Sequence, residues 1–395
     1  MDIAQDIGII LIVIGIVYSI YQFPILLIGY LHFHDYDIDF DEDSYKPLVT
    51  IIVPAKNEET VIGRCIDSIL KQVYDNFELF VIVDNSSDNT YKIAKSYEND
   101  KRVHVFQRHG NLTKASALNY AFSMSHGDII ATYDADTVLE KNTLKNAVYG
   151  MRYMNADVLQ GYNAYINREE NIFTRLAAID EIIVKVSMIG RMHLHLFVPV
   201  AGSNQYFKRE TIKIIGGWNE KFLTEDLESG VRMAAKRMRS MYLPSARVYQ
   251  ETPATYSEYI KQRIRWLRGY HQVLLHSKKE LSGMSGLDVL MIVLAPTFSG
   301  LLLFSSIYIS ILNFYNPYVH SMRTYFISLL FIFFMLYIIA FLLALIKKKE
   351  NALYIPLVYI YVVLNAVIAI YTFFLEITGA KRIWYKVNKT GKTTM

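Results

Sequence analysis

Four stretches of this chain carry no charged residue over lengths that a water-soluble domain seldom tolerates. They are Ile7–Tyr30, the run bracketed by Asp288 and Arg323, Thr324–Ile346 and Ala352–Leu375. Each exceeds the ~20 residues that a helix needs to cross ~30 Å of hydrocarbon. Between Asp35 and Arg268 no comparable run exists, and charges recur every few residues. The 52% hydrophobic content of the 395 residues is therefore concentrated rather than spread. The pattern predicts a membrane helix (1–31), an acidic linker (32–46), a polar domain (47–255), amphipathic interface helices (256–284), about three further membrane helices (285–378) and a basic tail (379–395). The last apolar run is interrupted by Pro356 and is open to a re-entrant reading.

The first run is not read as a cleaved leader, because Asp2 and Asp6 make its start acidic and no small-residue cleavage site follows. The single cysteine, Cys65, excludes an internal disulfide framework and sits in a helical pattern where packing is its expected role. Lys347, Lys348 and Lys349 end the third run, so that end is expected in the cytoplasm, and counting back puts the polar domain there too. Counting forward places the basic tail outside, against the same rule, so the tail is left open. The linker "HDYDIDFDED" is expected to be solvated and self-repelling rather than a cation site. No basic stripe with interleaved aromatics suggests nucleic-acid binding.

Inside the polar domain, short apolar, β-branched runs alternate with helical patterns. "LVTIIVPAKNEE", "FELFVIVDNSSDNT", "RVHVFQRHG" and "DIIATYDADT" each read as a strand ending in a polar turn, with helices expected after the first three. That alternation implies a parallel sheet with helices on both faces, and ligands bind beyond the carboxyl ends of such strands. Glu58, Asp84, Asp134 and Asp136 all fall at or just after those ends.

Asp134 and Asp136 invite three readings: an acid and base pair, half of a metal site, or a polar turn that stops a strand. If the chain stays extended there, residues two apart face the same side and both carboxylates converge. Adjacent carboxylates repel, and a hard divalent ion bridging them to phosphate oxygens relieves the repulsion. Further along, "KQRIRWLRGYHQV" places Gln262, Arg265 and Trp266 on one helical face. Arg265 is suited to a pair of diphosphate oxygens and Trp266 to the flat face of a sugar ring. Arg263 and Arg268 fall elsewhere and are expected to meet lipid headgroups. His193 and His195 are two residues apart with no further Cys or His nearby, so packing or an interfacial position is expected rather than zinc.

Taken in order, "VPAKNEE", "VDNSSDNT", "NLTKASALN", "YDADT", "FLTEDLESGVRM" and "QRIRW" resemble the membrane-embedded family 2 glycosyltransferases. That group includes the cellulose, chitin, hyaluronan and poly-N-acetylglucosamine synthases. The likeness spans residues 47–275, the framing apolar helices and "WYKVNKTG" in the tail. It implies a GT-A fold, an α/β Rossmann-like mixed sheet that binds nucleotide-sugars, with inversion at the anomeric carbon and Mg²⁺ or Mn²⁺ as cofactor. By position it implies that Pro54, Glu58, Asp84, Lys114, Asp134, Gln262 and Arg265 bind the donor nucleotide. Asp134 and Asp136 would hold the metal. Asp226 would be the general base, within the catalytic triplet Thr224, Glu225 and Asp226. Gly202, Ser203, Asn204, Gln205 and Trp266 would meet the acceptor.

Chemistry agrees with that division of labour. Inverting transfer needs one base for the acceptor hydroxyl and a stabilised diphosphate leaving group, which a divalent ion assists as a Lewis acid. Two enzymatic functions follow. One is a processive synthase that extends a polysaccharide from a nucleotide-sugar, UDP-linked in the family's common case, and exports it, alone or with export partners. The other adds a single sugar to a lipid such as a ceramide, diacylglycerol or polyprenyl phosphate. A nucleotide-regulated protein without activity is the third class, and the occupied acidic positions speak against it.

Overall fold

The computed structural model describes residues 17–18, 20–36, 38–40, 44–110, 112–277, 279–280, 286–295, 355–382, 389 and 391. The expected third apolar run, Lys347–Lys349 and most of the second run lie outside the described residues. So do parts of the first run, the linker and the tail.

The four strands expected from apolar runs are present as β1 (Val49–Ala55), β2 (Phe77–Asp84), β3 (Val103–Arg108) and β4 (Ile129–Thr132), all mutually parallel. The helices between them are α1 (Ile62–Leu70), α2 (Thr90–Lys95) and α3 (Lys114–Met124). Alternation along the strands splits the core into two layers. Val49, Ile51, Val53, Leu79 and Val81 pack on Ile62, Cys65 and Ile66 of α1. Ile52, Phe80, Ile82 and Ile130 pack on Ala115, Leu118 and Ala121 of α3. Cys65 is fully buried in the first layer, where packing was expected, and burial pushes its thiol up in pKa.

The second half departs from an all-parallel plan. After β5 (Val138–Leu139) and α4 (Thr143–Tyr153) come β6 (Val158–Tyr165), α5 (Ile172–His193), β7 (Gln205–Lys208), α6 (Arg209–Ile215), α7 (Glu225–Ala235) and β8 (Ser240–Gln250). The sheet order is β3-β2-β1-β4-β7-β6-β8-β5. β7 runs antiparallel between β4 and β6, so the sheet is mixed, as the family resemblance implied and the simple alternation did not. This insertion carries Gly202–Gln205 to the carboxyl end of β4.

Outside the sheet, α8 (Tyr256–His276) starts at Thr255, whose hydroxyl accepts the Glu258 N–H at 3.3 Å. α9 (Ile355–Ile377) packs on α8, and a helix over residues 20–31 packs on α5. Gly29 and Gly190 make the second crossing possible. A Cβ on Gly29 would lie 1.8 Å from the Val186 carbonyl oxygen, and one on Gly190 1.8 Å from that of Ile25.

Among the described residues no helix is long and apolar enough to cross a membrane. For α9, 23 residues long, the side chains of 355–362 are outside the described set. Both flanking helices nonetheless turn apolar side chains outward, Ile20 and Leu31 on one, Val367, Tyr371, Phe374 and Ile377 on the other.

Candidate active site

The site forms where the carboxyl ends of β1, β2 and β4 meet the loop before β7 and the start of α7. At its centre is Lys114, the first residue of α3. Thr113 caps that helix by accepting the Ser116 N–H, while the Ser116 hydroxyl accepts the Thr113 N–H. The cap fixes where the lysine side chain starts. Its Nζ lies 2.6 Å from Asp134 Oδ1, 2.7 Å from the Gly202 carbonyl and 3.4 Å from Glu225 Oε1. Burial would lower the lysine pKa, but this ring of acceptors raises it, so the group is charged throughout the useful pH range.

Asp226 lies in the first turn of α7, with Thr224 as N-cap. Its Oδ1 accepts the Leu227 N–H at 2.8 Å. The other oxygen faces Gly202, where an added Cβ would fall 2.9 Å from Oδ2 and 3.6 Å from the Lys114 ammonium. Gly202 has a φ of +74°, so a glycine serves both the turn and the close approach. Desolvation, then the charge of Glu225, raise the Asp226 pKa to about 7 against the opposing pull of Lys114. A carboxylate poised there can take a proton near neutral pH.

The structure thus brings Lys114, Asp134, Gly202, Glu225 and Asp226 together, although they are spread over more than a hundred residues of chain. Ser203 supports them from below: its buried hydroxyl accepts the Asp134 N–H at 3.0 Å and bonds Thr137 at 3.1 Å. Asn204 and Gln205, expected on the acceptor side, are instead consumed by the fold. Asn204 is fully buried, donates to the Ala246 carbonyl at 2.8 Å and accepts the Tyr206 hydroxyl at 2.8 Å. Gln205 is buried in β7 against Thr132.

The Asp134–Asp136 segment is not extended. The Thr137 N–H bonds the Asp134 carbonyl at 3.0 Å, closing a turn, so the convergence expected from an extended chain does not arise. The two carboxylates meet different cations. Asp134 takes Lys114. Asp136, only 5% exposed, has Lys389 Nζ at 2.7 Å from Oδ2 and the Glu251 N–H at 3.3 Å. Lys389 also donates to the Glu251 carbonyl, and Arg64 lies 2.6 Å from the Glu251 carboxylate. An ammonium seated on so buried a carboxylate shows that the position demands positive charge. Oxygen donors of this kind suit a hard divalent ion, so the residues fit the metal that the family implies.

At the carboxyl end of β2, Asp84 forms a two-pronged pair with Arg108, at 2.8 and 2.6 Å. Its carboxylate is not presented alone, which the sequence reading did not foresee. Glu58 and Pro54 are half-buried at the end of β1, and the Glu58 N–H donates to Thr90 at 2.7 Å.

The α8 helix reaches the same site by its apolar and polar face together. Gly269 lies against Thr224, where an added Cβ would meet the methyl at 2.3 Å. Gln272 holds the approach to α7, accepting the Leu223 N–H at 3.0 Å and donating to the Lys221 carbonyl at 2.8 Å. Tyr270 is raised to about 12 by burial and by the nearby Asp226 and Asp180 charges. Sequence reasoning missed all three, although Gly269 and Gln272 continue the spacing of Gln262, Arg265 and Trp266 down one face. Those earlier three residues are half-buried, and the Arg263 guanidinium covers the Trp266 ring at 5.0 Å.

Arg263 and Arg268 correct the expectation of lipid contact. Arg263 pairs with Asp180 at 2.8 Å, and the 5%-exposed Arg268 pairs with Glu376 at 3.3 Å while donating to the Lys381 and Ala380 carbonyls. Both tie α8 to neighbouring helices.

Residues 50–215 match the family model described as glycosyl transferase family 2. The match includes Lys114, Asp134, Asp136 and Gly202 and ends before Thr224. The chain is 32% identical over 237 residues to a probable glycosyltransferase, YdaM, of Bacillus subtilis, covering 58% of this chain and 56% of that protein. It is 30% identical over 236 residues to the beta-monoglucosyldiacylglycerol synthase of Trichormus variabilis, covering 57% and 49%. It is 26% identical over 245 residues to a poly-beta-1,6-N-acetyl-D-glucosamine synthase of Staphylococcus aureus, covering 60% and 58%. The chain spans about half the length of these curated relatives. Among solved structures it is similar to the mannosyltransferase PcManGT of Pyrobaculum calidifontis in complex with GDP-Man and Mn²⁺. The TM-score is 0.56 at 20% identity, over 87% of this chain and 99% of that one, a likeness of fold. The comparisons support a family 2 glycosyltransferase domain with a GT-A-like mixed sheet.

Proposed function

We propose that this chain is an inverting glycosyltransferase that moves a sugar from a nucleotide-sugar to an acceptor held at a membrane. The carrying observation is the cluster of Lys114, Asp134, Glu225 and Asp226 around Gly202, at the carboxyl edge of a GT-A-like sheet.

In this reading the donor diphosphate lies beside Lys114 and Asp134, and Asp136 would hold Mg²⁺ or Mn²⁺. The metal, when bound, supplies charge stabilisation to the departing diphosphate. Asp226, held ready by the Leu227 N–H, takes the proton of the acceptor hydroxyl as its oxygen attacks C1. The C1–oxygen bond to the diphosphate breaks on the opposite face, which inverts the anomeric centre. The leaving nucleoside diphosphate departs with the bonding electron pair next to the lysine ammonium. Glu225 acts through charge, keeping Asp226 basic and Lys114 protonated.

The outward apolar faces of the helix over residues 20–31 and of α9, on either side of the domain in sequence, support an integral membrane protein. The Lys347–Lys349 run supports a cytoplasmic catalytic domain. Two acceptor classes fit. Extension of a polysaccharide with export is supported by the likeness to a poly-N-acetylglucosamine synthase. Single addition to a lipid is supported by the likeness to a glucosyldiacylglycerol synthase. Purified protein in lipid, given a panel of nucleotide-sugars with Mn²⁺ or Mg²⁺, separates them by nucleotide release and product size. A ladder of products identifies the synthase, and one glycolipid of fixed mass the single-addition enzyme. No turnover of any nucleotide-sugar refutes the proposal.

A further inference from the structure

His32, Asp35 and His193, none of which belongs to the catalytic cluster, come together in space. His32 lies just past the helix over residues 20–31, and His193 is the last residue of α5. Their imidazoles stack with centroids 4.0 Å apart and planes 27° apart. His32 Nδ1 is 2.5 Å from Asp35 Oδ2, and His193 Nε2 is 3.9 Å from the same oxygen. One ligand atom from each of the three residues lies within 4.8 Å of the others, the single such group among the described residues.

A hydrogen bond between His32 and Asp35, three residues apart at a helix end, accounts for part of this arrangement. It leaves His193 unexplained. The Nε2 atom of His193 is buried and has no hydrogen-bond partner among the described residues. A buried ring nitrogen without a partner is costly.

We propose that His32, Asp35 and His193 form a Zn²⁺ site that clasps the segment entering the domain to the end of α5. Bonds of ~2.0–2.2 Å in a tetrahedral site put donor atoms roughly 3.3 Å apart. The present separations of 2.5 and 3.9 Å bracket that figure, and all three donors already lie within 4.8 Å of one another. Imidazole and carboxylate donors together suit Zn²⁺. His32 and Asp35 are 41% and 49% exposed, which gives the ion a path from solvent. The fourth position falls to water. The clasp would sit next to the Gly29–Gly190 crossing and lock the N-terminal helix against α5. It is independent of the catalytic reading, since none of its ligands belongs to that cluster.

The test uses the full chain without a polyhistidine tag, purified in detergent, stripped with a chelator and titrated with Zn²⁺ alone. Co²⁺ serves as a parallel spectroscopic probe of tetrahedral ligation. One equivalent should bind to the unaltered chain and to Asp136→Ala, and Zn²⁺ should raise the melting temperature of both. His193→Ala should weaken binding by at least about 10- to 100-fold. His32→Ala, a change at a more exposed position, should do the same in a folded protein. Failure of the unaltered chain to bind Zn²⁺, unchanged uptake in His32→Ala, or loss of uptake in Asp136→Ala alone would overturn the proposal.

Discussion

Replacing Asp226 by Asn separates the cost of holding a base in the cleft from its use. The folded-state pKa of about 7 lies roughly three units above the unfolded value of ~3.9. The sign follows from proton binding: below pH ~4 both states are protonated and nothing is lost. Between about pH 4 and 7 the unfolded chain ionises while the folded one keeps its proton, so stability falls by about 1.4 kcal/mol per pH unit. Above pH 7 the loss levels off at about 4 kcal/mol, an upper bound because Asp226 keeps some access to solvent and shares its charge with Glu225 and Lys114. Asp226→Asn has no such titration. Its stability relative to the unaltered chain should therefore rise from pH 5 to 7 by up to about 3 kcal/mol, roughly 6–12 °C in melting temperature for a domain of this size. Turnover should fall by about 10²–10⁴-fold. The unaltered enzyme should lose kcat/KM tenfold per pH unit below about pH 7. Melting curves at several pH values in detergent, with initial rates at each, read both quantities. A flat stability difference between pH 5 and 8, or retained turnover in Asp226→Asn, refutes the assignment of Asp226 as a strained base.

Lys114→Met removes the charge that opposes the Asp226 shift, so residual activity should show its acid limb displaced to higher pH, read from a pH–rate profile. Asp136→Ala should abolish metal-dependent donor turnover while the protein still folds and inserts. Chelation of the unaltered enzyme should reproduce that loss reversibly, checked by nucleotide release before and after Mn²⁺ is restored. Arg268→Leu leaves the buried Glu376 with Arg382 as its remaining cation among the described residues and takes a donor from the Ala380 and Lys381 carbonyls, so it should destabilise the chain by about 1–3 kcal/mol, seen by thermal melting. An unchanged melting temperature would return Arg268 to the lipid headgroups.

The sequence alone determined the first four strands, their helices and the rim on which the acidic residues gather. Apolar runs such as "TIIV" and "FVIV" end at Pro54 and Asp84, and a continuous β-branched run bounded by a polar turn, which folds into a strand buried on both faces, is a local signal that needs no partner to be read. The pattern "LESGVRMAAKRM" after Asp226 left it open to an N-cap or a first-turn position, and the fold put it in the first turn with Thr224 as the cap. The tertiary structure alone decided which charge meets which. Asp84 is taken by Arg108, Asp136 by Lys389 and Glu376 by Arg268, and each pair joins segments that no periodicity links. Placing β7 antiparallel next to β4 brought Gly202 to Asp226 and spent Asn204 and Gln205 on the sheet. The two histidines read as a sequence pair, His193 and His195, gave way to a spatial pair, His193 and His32. Hydrophobic patterning reports which face of an element is buried, whereas ion pairing and ligation depend on distances of a few ångströms between elements. Those distances exist only once the chain has packed.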